Sequence, residues 1–132
     1  MHLVIDNSSE VQVSQLSIVA PEDSPNTDGI HVTHSQDVEI TDSFIGTGDD
    51  CISIQTRSNN VTISQIKCGP GHGISIGSLG DDGEKAMVEQ INVSDCHFVG
   101  TQNGARIKSW QINASEKLRI QNHLEKSSNL EN

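Results

Sequence analysis

From Val11 onward, apolar residues return at offsets of two, five and seven, at Val13, Leu16 and Ile18. The same offsets from Val38 give Ile40, Ser43 and Ile45; from Val61, Ile63, Ile66 and Cys68; and from Ile91, Val93, Cys96 and Phe98. Ser43 is the one polar exception, with Phe44 beside it. Each repeat closes on a second short run: Gly29–Val32, Cys51–Ile54, Gly73–Ile76 and Arg106–Lys108. Alternating β-branched residues separated by Gly, Asn, Asp and Ser read as strands and turns. No segment before residue 110 has a helical period. A repeat of about 25 residues with two or three short strands predicts an all-β parallel β-helix of four to five coils. Coils stack about 4.8 Å apart, with Val, Ile and Leu in inward columns. A small antiparallel sandwich is the rival, but it does not predict that the same offsets recur in the same order. Residues 1–110 carry the pattern. Residues 111–132 are polar, with scattered Ile112, Leu118, Ile120 and Leu124, and are expected to form a divergent tail, helical or disordered.

Aligning the closing runs on Ile30, Ile52, Ile74 and Ile107 stacks chemistry as well as core. Asp28, Asp50 and His72 stand two residues before the isoleucine, and Asp49 three before. All four are expected within two coil spacings of one another. Arg106 and Lys108 flank Ile107, expected to face inward, so both point out of one face. A single Asp-Gly turn is ordinarily structural, and a lone turn histidine is ordinarily a solvated side chain. Three stacked carboxylates repel, however, and stability alone would favour Asn or Ser. Like charges raise one pKa while neighbours stay ionised, giving an acid and a base in one cleft. An acid and a base flanking a scissile bond define glycoside hydrolysis, and one coil step plus side-chain reach leaves room for a water, as inversion requires.

Composition narrows the partners. The chain has 132 residues, 33% apolar and 2% aromatic, with no tyrosine, which suits stacked aliphatic layers. A net charge of −10 speaks against nucleic acid. No run of about 18 apolar residues would cross a membrane, and no signal peptide is visible. Three cysteines leave the compartment open, while the sequons at Asn7, Asn60, Asn92 and Asn113 tilt it outward. Cys96 falls at an inward offset and reads as a small buried apolar residue. Asp81-Asp82-Gly83-Glu84 lacks the alternating oxygen ligands of a calcium loop and reads as a solvated turn.

Four motifs then carry a resemblance. Ser24-Pro25-Asn26-Thr27-Asp28-Gly29, Gly46-Thr47-Gly48-Asp49-Asp50-Cys51, Cys68-Gly69-Pro70-Gly71-His72-Gly73 and Arg106-Ile107-Lys108 resemble, in order and spacing, the signatures of polygalacturonases, glycoside hydrolase family 28, in their plant wording. The resemblance covers roughly residues 1–111. It implies a right-handed parallel β-helix that hydrolyses the α-1,4-galacturonan of pectin with inversion and no metal or other cofactor. Carried onto matching positions, it implies Asp49 as general acid, Asp28 and Asp50 as the pair that positions and deprotonates water, and His72 as organiser of the acid's protonation. Arg106 and Lys108 would hold the substrate carboxylate, with Asn26 also on the substrate. A Cys51–Cys68 disulfide and secretion to the cell wall belong to the same implication. Protein and polygalacturonate are both anionic, so local cations must overcome bulk repulsion. Family members are longer and bring a tyrosine from a later coil. The chain is therefore expected to be a fragment that, alone, is marginally stable or aggregates and has little or no hydrolase activity. A catalytically silent pectin-binding module and a calcium-dependent pectate lyase are the alternatives.

Overall fold

The computed structural model describes residues 1–80 and 85–109 in full and the backbone of 119–121 and 128–131. Its strands in chain order are β1 (Leu3–Asp6), β2 (Ser9–Ser14), β3 (Ser17–Val19), β4 (Ile30–Thr33), β5 (Gln36–Gly46), β6 (Asp50–Ile54), β7 (Ser58–Cys68), β8 (Gly73–Leu79), β9 (Met87–Ser94), β10 (Cys96–Val99), β11 (Ala105–Ser109), β12 (Arg119–Gln121) and β13 (Ser128–Glu131). No helix occurs among the described residues. Each strand pairs in parallel with its counterpart one coil away, which is what a solenoid requires and a sandwich of hairpins does not. One sheet runs β1-β4-β6-β8-β11, and the second is built on β5, β7, β9 and β10. The fold is a right-handed parallel β-helix of about four turns, with β11 beginning the next.

The apolar offsets are the stacking columns. Val11, Val38, Val61 and Ile91 are in register, as are Val13, Ile40, Ile63 and Val93. In the other sheet Ile30, Ile52 and Ile74 align, as do Val32, Ile54 and Ile76. Nearly all are solvent-inaccessible, and burial of each such side chain stabilises by about 1.5–3 kcal/mol. Ser43 fits its inward place because its Oγ donates to Thr41 O (2.9 Å) and accepts from Leu16 N (3.1 Å) of the coil below. Cys96 is a free, buried thiol whose pKa burial pushes up. Cys51 and Cys68 form a disulfide with Cα atoms 6.0 Å apart.

Corners recur as strictly as columns. Glu10, Asp37, Asn60 and Gln90 precede the four column origins, and Gln15, Asp42, Gln65 and Asp95 follow them by four. All eight have left-handed φ, between 47° and 56°, and Asn7, His34 and Arg57 repeat this at a third corner. A single left-handed residue bends a strand sharply without ending its ladder, and short polar side chains bear that conformation best. Behind the third corner Ser35 and Ser58 are buried, and Ser35 Oγ donates to Thr33 O (2.7 Å) and accepts from Ser8 N (3.2 Å).

Two sequence expectations shift here. Ile107 stacks on Ile76, not Ile74, because Ala105 takes the place beside Ile74. Ile107 also keeps 44% of its surface exposed, since β11 ends its sheet among the described residues. In the expected tail, the described backbone is strand: β12 pairs with β9 and β13 with β10. Residues 81–84 and the rest of 111–132 lie outside the described residues, so the solvated turn and the helix or disorder expected there do too.

Candidate active site

Asp28, Asp49 and Asp50 sit where two consecutive turns enter β4 and β6. Hydroxyls lock these turns together. Thr27 Oγ1 donates to Ser24 O (3.1 Å) and accepts from Gly48 N (3.0 Å) of the next coil. Buried Thr47 accepts from Asp49 N through its own Oγ1 (3.2 Å). His72 stands between Gly71 (φ 141°) and Gly73 (φ 100°). A Cβ on Gly71 would lie 2.5 Å from Asp49 O, and one on Gly73 2.3 Å from Asn103 O, so the histidine is threaded between two coils only because its neighbours lack side chains.

A β-bulge corrects the expected stacking. Ile52 pairs with Ile74, yet Asp50 pairs with Gly73, so Cys51 is an extra residue in β6. Asp50 therefore does not lie beneath His72. Instead His72 N donates to Asp49 O (2.8 Å), and its Nδ1 lies 3.2 Å from Asp49 Oδ1. Asp50 turns to a separate set of partners. Its Oδ1 accepts from Ser75 Oγ (2.7 Å) and Arg106 (3.3 Å), and its Oδ2 from Lys108 Nζ (2.9 Å). Arg106 Nε also donates to Ser75 Oγ (3.0 Å), closing a charge-assisted network around a buried carboxylate.

Asp28 and Asp49 form the second unit. Their carboxyls interact directly, and the two pKa values move in opposite directions. Burial, reinforced by the charges of Asp28 and Asp50, raises the Asp49 pKa above the ordinary carboxylate value. Burial opposes ionisation of Asp28 as well, but the polar contacts of His31, Asp49 and the Asp50 backbone outweigh it and hold its pKa low. The pair thus separates into a proton holder and a carboxylate, the division that acid–base chemistry needs.

All four residues expected to cluster do so, with Arg106 and Lys108 on the same face but bound to Asp50 rather than free. Asn26, Asp28, Asp49, Asp50 and Lys108 line one groove of about 390 Å³. A larger concavity of about 610 Å³, lined by Leu16, Phe44, Lys67 and His97, lies on the other sheet. Ser75 and His31 escaped sequence reasoning. Both occupy the outward column His31-Ser53-Ser75-Arg106, one place past the aligned isoleucines, and extending the alignment by that place would have found them. Asp49, Asp50 and His72 bring ligand atoms within 4.8 Å of one another, but both Asp50 oxygens already face cations, which disfavours a metal there.

The fold is a solenoid, and its groove sets two carboxyls with oppositely shifted pKa values side by side. The chain belongs to the glycosyl hydrolases family 28, which it matches over residues 1–123. It is 59% identical over 110 residues to a probable polygalacturonase of Arabidopsis thaliana, covering 83% of this chain and 24% of that protein. It is 55% identical over 111 residues to a polygalacturonase of Malus domestica, covering 84% and 24%. The solved polygalacturonase from Erwinia carotovora ssp. carotovora superposes with a TM-score of 0.74 at 35% identity, over 82% of this chain and 29% of that one. The chain thus spans about a quarter of the length of the curated relatives it matches.

Proposed function

We propose that this chain carries the hydrolytic centre of a polygalacturonase, cleaving α-1,4-galacturonosidic bonds of pectin with inversion. The observation that carries the reading is the convergence of Asp28, Asp49 and Asp50 on one groove, where the Asp49 pKa is raised beside Asp28 with a lowered one. Asp49 donates its proton to the glycosidic oxygen as the bond to the anomeric carbon breaks. Asp28 and Asp50 orient the attacking water. Both line the groove, but Asp50 is 2% exposed and held by two cations while Asp28 is 20% exposed, so Asp28 takes the water's proton. His72, 3.2 Å from Asp49, tunes the acid. Lys108 and Arg106 keep N–H donors beyond those spent on Asp50, and these meet the substrate carboxylate, with Asn26 at the groove's edge. Secretion to the cell wall fits the disulfide, which persists in oxidising compartments.

The test is reducing-end release from polygalacturonic acid at mildly acid pH, by the chain and by its Asp49→Asn variant. We expect slow release, lowered about 10²–10⁴-fold in the variant. A folded chain that binds polygalacturonate without releasing ends is a silent module. Calcium-dependent unsaturated products would make it a lyase. Either outcome rejects the proposal.

A further inference from the structure

Asp50 has two permanent cations, but Asp28 has none: among the described residues, the basic side chain within ion-pairing reach of its carboxyl is His31. His31 Nδ1 lies 3.8 Å from Asp28 Oδ2, and both side chains are 20% exposed. That distance is too long for a hydrogen bond and short enough for strong charge interaction. The same nitrogen is shielded from solvent and has no hydrogen-bond partner. The backbone that carries the ring is fixed, because β4 is held on both sides. His31 pairs with Val4 of β1 and Ser53 of β6, between fully buried Ile30 and Val32.

We propose that His31 is a positioning residue for Asp28: its imidazolium holds Asp28 as the carboxylate of the Asp28–Asp49 pair and leaves the proton on Asp49. This rests on the hydrolase reading for its consequence in catalysis, but the coupling itself does not. The charged and titratable groups around Asp28 are His31 from β4, His2 with its Nδ1 3.1 Å from Asp28 O, Asp49 and Asp50 at the entry to β6, Lys108 from β11 and the Met1 amino group, with His72 behind Asp49. Asp49 faces two other carboxylates and is the better proton holder. Without the imidazolium, Asp28 loses the cation that decides the contest, the proton spreads over both carboxyls, and the base is lost at acid pH.

The experiment follows the aspartate carboxyl carbons of the 132-residue chain by NMR across an acid titration. His31→Gln should move the Asp28 step upward by about 1 pH unit, the lower end of the effect of an opposite charge at this range. His31→Arg should restore a step at or below that of the unsubstituted chain. His34→Gln, which removes an imidazole 3.7 Å from Asp6 one residue past the end of β4, should leave both steps in place. An unmoved Asp28 step in His31→Gln overturns the proposal. If that variant does not fold, a raised step in His31→Arg overturns it instead. A parallel shift of the acid limb of hydrolysis ties the coupling to catalysis. A carboxyl shift in a chain that hydrolyses nothing supports His31 and rejects the hydrolase reading, so the two fail separately.

Discussion

Asp50 is 2% exposed at its side chain, and its partners change what substitutions nearby mean. From sequence, Lys108 and Arg106 look like free cations awaiting a substrate, so removing one should weaken binding and leave the fold unchanged. In the structure Lys108 Nζ is 2.9 Å from Asp50 Oδ2, which makes it part of the fold as well. Lys108→Met should therefore weaken polygalacturonate binding and also lower the free energy of unfolding. A charged hydrogen bond to a buried carboxylate contributes about 1.5–3 kcal/mol, reduced because Lys108 is itself 30% exposed and screened, so a loss of about 1–2 kcal/mol is expected in denaturant unfolding. Unchanged stability with weaker binding would return Lys108 to a purely substrate-facing role. Arg106, which also braces Ser75, should behave in the same direction.

At the scale of elements, the turn before β8 is where local sequence and neighbouring coils meet most tightly. Gly73→Ala should be costly, because φ of 100° and a carbonyl oxygen 2.3 Å from the added Cβ cannot both be relieved without moving β8 or the Asn103 turn. Such strain costs about 1–3 kcal/mol, and because Gly73 adjoins His72, the His72–Asp49 contact should loosen too. Unfolding together with the Asp49 carboxyl titration would check both, and a variant as stable as the original with an unmoved Asp49 step would contradict the claim. The columns were legible in the sequence because side-chain period and coil length are local properties, visible at Val38, Val61 and Ile91. The bulge at Cys51 was not. Whether Asp50 faces His72 or Ser75 depends on one extra residue in β6, set by packing against β4 and β8, and the letters Asp49-Asp50-Cys51 read the same either way. His31 was missed for a related reason: an outward residue in a strand carries no signal until the turn beside it is known to hold a carboxyl. The left-handed corners were present as polar residues at fixed offsets, but side-chain identity alone does not announce φ.

For the whole molecule, stability comes from each coil resting on its neighbours, so a coil held internally protects those above and below it. The Cys51–Cys68 disulfide does this for the coil made of β6 and β7. It ties the bulge that orients Asp49 and Asp50 to the end of β7, where Cys68 stacks between Ile45 and Phe98. Both cysteines are buried, so the link lies inside the core and not on a loop. Closing a loop of 17 residues limits the unfolded chain and stabilises the fold by about 3 kcal/mol in the chain-entropy account. Oxidised and reduced forms of the same chain can be compared directly, with no change of side-chain volume. The reduced form should lose about that much in denaturant unfolding. Its amide exchange should rise first at Gly48, Asp49 and Asp50, before the columns of β5 and β7 open, because these three amides donate to side-chain oxygens while the strands are held by whole ladders. If reduction left the unfolding midpoint in place, the bulge would be fixed by packing alone and the disulfide would be dispensable to the groove. If the midpoint fell but exchange rose evenly over all coils, the link would stabilise the solenoid as a whole without any special hold on the carboxylates.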